Sequence, residues 1–165
     1  GNKPQRALLF LAVSGEEKGL FGSKFYTENP IFPLSKTTTN LNIDMVGRKD
    51  TIHKNSNYIY LIGSNRISKE LHKISEQINN QHIQFNLDYT YNDQNDPNRF
   101  YERSDHYNFA KNGIPVIFYF GGLHEDYHQP TDDVDKIDFN KLEKVSQYVF
   151  LTAWELAYRK KAVKK

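Results

Sequence analysis

Cysteine is missing from all 165 residues. Disulfides and thiolate metal sites are thereby excluded, so any metal has to be held by histidine, aspartate, glutamate or water. Long apolar runs are missing too, and none approaches the roughly 20 residues that span a bilayer. There is little net charge. The 22 basic residues face 20 acidic ones, a balance of +2, which gives no case for a nucleic-acid partner. Much of the basic excess sits in residues 159–165, RKKAVKK, which reads as a frayed terminus. No signal-peptide pattern, internal repeat or linker is visible. The chain opens with GNKPQR and enters an apolar run at Ala7. A start this abrupt predicts a fragment of a longer protein, with Gly1 left over from its production.

What is present fits one folded domain over 1–165. The length supports a sizeable core, and aromatics at 14% argue against disorder. Residues 7–13, ALLFLAV, form a short bounded apolar run, which predicts a buried strand of the parallel type. Residues 38–46 alternate apolar with polar, predicting a second strand that can run antiparallel to its neighbours. Strands are also expected over 57–63, 83–91 and 114–120. Helices are expected over 20–28, across Ile67, Leu71, Ile74 and Ile78, over 104–111 with Ser104 as N-cap, and over 139–159. In the last helix Leu142, Val145, Val149, Ala153 and Leu156 make the buried stripe. Strands alternating with helices predict an α/β fold, a three-layer α/β/α sandwich on a mixed, mostly parallel sheet.

The candidate chemistry lies in loops after strands, where open α/β sheets place ligands. Glu16 and Glu17 follow the turn Ser14-Gly15. One can hold a metal while the other handles a proton, or both can be the acidic first turn of a helix. Asp44 ends its strand, either as a ligand or as a local hydrogen-bonding group. The loop HEDYHQPTDD, residues 124–133, carries two histidines. Pro130 argues against a helical ligand pair, so at most one of His124 and His128 is expected to bind metal, and each alone also reads as a solvated loop residue. Asp132 and Asp133 read as turn caps. His53, His72 and His82 sit in polar surroundings with no role assigned. Carboxylates and imidazole converging from separate strand ends suit zinc held by nitrogen and oxygen. In Arg103-Ser104-Asp105-His106 the adjacent residues cannot form a catalytic triad, whose members converge from different parts of a fold. The G-x-S-x-G elbow is absent as well. Asp105 either caps its helix or lines the site.

The motifs SGEE-x-G-L-x-GS, N-x-DMVG, RSDH-x-x-F, GIPV-x-F and DYH-x-P-x-D-x-x-DKID occur in that order. In this the chain resembles the carboxyl-terminal part of two-zinc exopeptidases of the aminopeptidase Y and glutamate carboxypeptidase type, closest to the bacterial secreted aminopeptidases. The resemblance runs over residues 7–159. It implies Glu16 as the general base toward a zinc-activated water, Glu17 and His128 as ligands of one zinc, and Asp44 as a ligand of the other. It also implies peptide substrates and a periplasmic or secreted location. Two further ligands of that family, a histidine in an H-x-D segment and a bridging aspartate, have no counterpart here. The chain alone is therefore expected to bind zinc weakly, to be inactive, and to expose a sheet edge prone to self-association. Two alternatives stand beside this. Glutaminyl cyclases resemble the same scaffold and use a carboxylate at the position of Asp105, and a degenerate fold of this type can serve as a non-catalytic binding module.

Overall fold

Residues 116–120, VIFYF, are apolar without interruption, so they need hydrogen bonds on both edges and cover on both faces. Both are supplied in the computed structural model of the protein, which describes residues 3–165. One sheet holds β1 (Asn40–Asp44), β2 (Tyr58–Ile62), β3 (Asn86–Asp88) and β4 (Val116–Phe120), in the order β1-β4-β2-β3. β4 runs parallel to β1 and antiparallel to β2, and β2 runs parallel to β3. The sheet is mixed and mostly parallel, as the sequence predicts. The parallel run breaks at the β4–β2 pairing, however, so that β2 and β3 both run opposite to β1 and β4, while β1 pairs in parallel from Asn40 with Val116 to Asp44 with Phe120.

Alternation along the central strands divides the core in two. Ile59, Leu61, Ile117 and Tyr119 pack with α2 (Lys69–Ile78) and α4 (Phe139–Tyr158). Tyr58, Tyr60, Ile62, Phe118 and Phe120 form the opposite layer with Phe100. On that side Val116 meets Tyr26 of α1 (Phe21–Glu28) and Phe109 of α3 (His106–Lys111). This is the expected three-layer sandwich. Ser68 caps α2 by accepting from the Leu71 amide at 3.2 Å, and Asp138 caps α4 by accepting from the Lys141 amide at 3.0 Å.

Several local expectations need correcting. Residues 7–13 form no strand. They carry no regular structure and are mostly exposed, with Phe10 at 88%, because none of the described strands pairs with them. Their flanks alone are tied down: the Gln5 and Arg6 amides bond Ala157 O, and Ser14 O accepts from the Gly22 amide. The strand expected at 83–91 shrinks to β3, because α2 continues as a π-helical turn over Asn79–Ile83 and stops at Gln84 in a left-handed conformation. The basic tail is docked rather than frayed. Val163 is buried, Arg159 pairs with Glu70, and the Lys164 amide donates to Glu70 Oε2 at 2.8 Å. The buried stripe of α4 is Val145, Tyr148, Thr152 and Leu156, with Val149 and Ala153 half-buried. Two hydroxyls enter that stripe because both are satisfied: Tyr148 Oη donates to Ser75 O at 3.0 Å, and Thr152 Oγ1 donates to Tyr148 O at 2.9 Å.

One buried group is poorly compensated. Lys141 is only 2% exposed, and its ammonium sits 3.6 Å from the centre of the Tyr58 ring without a hydrogen-bond partner among the described residues. Burial pulls its pKa from 10.5 to about 8, against the opposing pull of Asp50 and Asp138. A lysine whose pKa falls on folding binds fewer protons in the native state, so stability rises with pH between about 8 and 10.5. Lys141→Met is expected to stabilise the protein at pH 7 by roughly 1–3 kcal/mol and to abolish that rise. Urea unfolding at several pH values checks both, and an unchanged slope in the variant would refute the assignment.

Candidate metal centre

The site is built at the carboxyl ends of β1 and β4. Gly15 adopts φ 71°, which turns the chain out of residues 7–13 into a tight 3₁₀ turn over Glu16–Lys18. The two glutamates thus sit on their own turn rather than in the first turn of α1, which begins at Phe21. Gly22 lets α1 approach this turn. A Cβ there would lie 2.7 Å from both the nitrogen and oxygen of Ser14.

Asp44 is the last residue of β1. Ser104 Oγ donates to its Oδ2 at 2.8 Å and in turn accepts from Asn42 Nδ2 at 2.9 Å. Ser104 therefore orients Asp44 and does not cap α3; Asp105 occupies the N-cap position, and its side chain makes no capping bond. Asp105 Oδ1 is buried without a hydrogen-bond partner among the described residues. Its neighbour His106 is fully buried, stacks on Phe118 at 4.7 Å, and is held neutral by burial, with its pKa lowered to about 3.

His128 lies in the loop after β4, which is a series of turns rather than a helix. Its Nε2 is 2.7 Å from Glu17 Oε1, across 111 residues of sequence. Both side chains are open to solvent, 53% and 64% exposed. His124 does not join them: it is buried at the base of the loop, 3.8 Å from Asp132. Asp132 takes the guanidinium of Arg48 at 2.5 Å instead of only capping a turn. His53 is likewise more than a surface residue. It bridges Asp50 at 3.1 Å and Asp88 at 3.3 Å, and stacks on Tyr58.

The electrostatics set this group apart. Burial raises the pKa of Glu16 to about 7, helped by Asp44, Glu17 and Asp105 and opposed by Arg103. Asp44 is also raised, chiefly by burial, with its Ser104 bond working the other way. Arg103 and Tyr127 are near enough to these carboxylates to share their field. Both stand in the RSDH and DYH motifs, and composition alone assigns them nothing.

The sequence profile of peptidase family M28 matches residues 1–153. The chain belongs to peptidase family M28. No curated protein sequence matches it. Its fold is similar to that of the LapA aminopeptidase of Legionella pneumophila, with a TM-score of 0.70 and 20% identity over 89% of this chain and 38% of LapA. BSAP, a zinc aminopeptidase from Bacillus subtilis, gives 0.69 and 24%, over 93% of this chain and 35% of BSAP. Porphyromonas gingivalis glutaminyl cyclase gives 0.58 and 21%, over 87% and 51%. The chain thus spans less than two-fifths of either aminopeptidase.

The donor set of this M28 chain suits zinc in part. An imidazole nitrogen and a carboxylate oxygen side by side, as in Glu17 and His128, are two of the donors such an ion takes. Yet among the described residues no three histidine, aspartate or glutamate side chains gather into a metal-holding cluster. The crowding itself is testable in the metal-free chain. A glutamate whose pKa rises on folding keeps its proton longer when native, so stability falls as pH rises from about 4.5 to about 7. The Glu16 carboxyl is expected to titrate near 7 by ¹³C NMR, and lower once Asp105→Asn removes a neighbouring charge. Titration at the ordinary value in both proteins would remove the crowding.

Proposed function

We propose that this chain is part of a zinc-dependent aminopeptidase. Glu17 and His128 hold one ion, Asp44 contributes to a second, and Glu16 is the general base. The observation that carries this reading is the direct approach of Glu17 and His128, with Glu16, Asp44 and Asp105 electrostatically coupled beside them. Zinc, when bound, polarises a peptide carbonyl and lowers the pKa of water. Glu16 takes the proton of the attacking water and passes it to the leaving amine. Ser104 and Asn42 fix the carboxylate of Asp44. The remaining ligands come from parts of the parent outside these residues, in keeping with the share of the relatives that the chain spans. The chain alone is then inactive, and the parent acts on peptides in the periplasm or outside the cell.

Glutaminyl cyclase chemistry is the second reading, favoured by Asp105 Oδ1, buried and unpartnered among the described residues close to Glu16. Calorimetric zinc titration of this chain is expected to show weak binding that Glu17→Ala and His128→Ala abolish. The parent protein is expected to release leucine from a Leu-peptide and to leave a Gln-peptide uncyclised. Tight binding that survives both substitutions, or cyclisation without hydrolysis, would reverse the proposal.

The same reading has the sheet edge at β1 and the exposed apolar residues of the segment 7–13 available for self-association. Among the described residues β1 pairs only with β4, Ile43 is half exposed, and Leu8 to Leu11 are all exposed. Sedimentation velocity is expected to show a coefficient that rises with concentration in the wild type and less so in Phe10→Asp. A concentration-independent monomer would exclude this route.

A further inference from the structure

His128 has φ 57°, a left-handed conformation that is strained for a residue with a Cβ. Its contact with Glu17 is solvent-exposed on both sides, and such pairs contribute little on their own. The contact therefore cannot impose the backbone conformation, and something else must. Side chains on both flanks of the loop do so, gathered on the buried carboxylate of Asp126. The Asp126 side chain is 7% exposed, and its Oδ1 accepts from Thr131 Oγ1 and Lys136 Nζ, each at 2.6 Å. Its Oδ2 accepts from Arg48 Nη2 at 2.5 Å, while Arg48 Nη1 donates to Asp132 Oδ1 at 2.5 Å. The Gln129 amide closes the turn on Asp126 O at 2.8 Å. Asp126 precedes His128, whereas Thr131, Asp132 and Lys136 follow it, so these bonds clamp the loop from both flanks. The guanidinium that joins the flanks leaves the chain four residues after Asp44.

We infer that Arg48 and Asp126 are positioning residues: they clamp the loop so that His128 is presented to Glu17, and they tie that loop to the segment carrying Asp44. This rests on the reading of Glu17 and His128 as ligands. A fork to two carboxylates is geometry that a lysine cannot reproduce. Groups that orient a ligand typically change metal affinity by 10- to 100-fold when removed.

The test compares Arg48→Lys, Asp126→Asn and Thr131→Val with His128→Ala, all in the 165-residue chain. Two readouts are taken: nuclear Overhauser contacts between the His128 ring and the Glu17 side chain without metal, and the midpoint of a zinc titration followed by NMR. Arg48→Lys and Asp126→Asn are expected to lose the ring contacts and to weaken zinc binding about 10-fold or more. Thr131→Val removes one uncharged donor and is expected to weaken it about 3-fold, which keeps the test decisive if a charge variant fails to fold. Ring contacts and midpoint both unchanged in the folded variants would overturn the inference. A zinc midpoint unmoved by His128→Ala would overturn the ligand reading instead, and the ring contacts alone would then decide whether the clamp exists.

Discussion

A strand buried on both faces leaves its backbone groups with no solvent, so each edge must be paired. β4 meets that condition, and the rest of the molecule is arranged by it. β1 on one edge and β2 on the other satisfy its amides and carbonyls, and its side chains feed both core layers. Its carboxyl end then releases the chain into the His128 loop beside the end of β1, which ends in Asp44. Two groups 84 residues apart in sequence, Asp44 and His128, are brought to one rim by a single parallel pairing.

At that rim the fold works against its own electrostatics. Burial disfavours charge on Glu16 and Asp44, the neighbouring carboxylates of Glu17 and Asp105 add repulsion, and Arg103 offsets part of this at Glu16. A group of carboxylates chosen for stability alone would be paired or exposed. Holding Asp44 with a hydroxyl, not a cation, keeps its charge available. Such an arrangement becomes favourable when a cation enters, since bound metal reverses the sign of the local field.

Much of the layered fold was legible from patterning. β2 and β4 are continuous apolar runs, and α2 shows its face at the spacing Leu71, Ile74, Ile78. Pairing partners were not legible. Residues 7–13 carry the same apolar signal as β4, but hydrophobicity specifies only that a segment seeks burial, never that a neighbour exists to pair with it. Long-range polar ties escaped for a related reason. Ser104 looked like a cap because the local rule for serine before a helix is strong. Its actual partner, Asp44, lies 60 residues away. The docking of the basic tail on Glu70 likewise depends on α2 and α4 being neighbours, which no local pattern states.

The exposed and buried halves of the site divide the work differently from an ordinary surface. Glu17 and His128 stand in water, where a side chain samples several rotamers and an ion pair holds it only weakly. Asp126 is buried and the Arg48 side chain only 14% exposed, where a fork of hydrogen bonds is stiff and breaking one partner strands a charge. Stiffness therefore resides one layer beneath the groups that would meet a ligand, in the backbone that carries them. A site arranged in this way can leave its donors accessible and still present them in one geometry, because the cost of the left-handed turn at His128 is met by the clamp beneath it and not by the donors themselves.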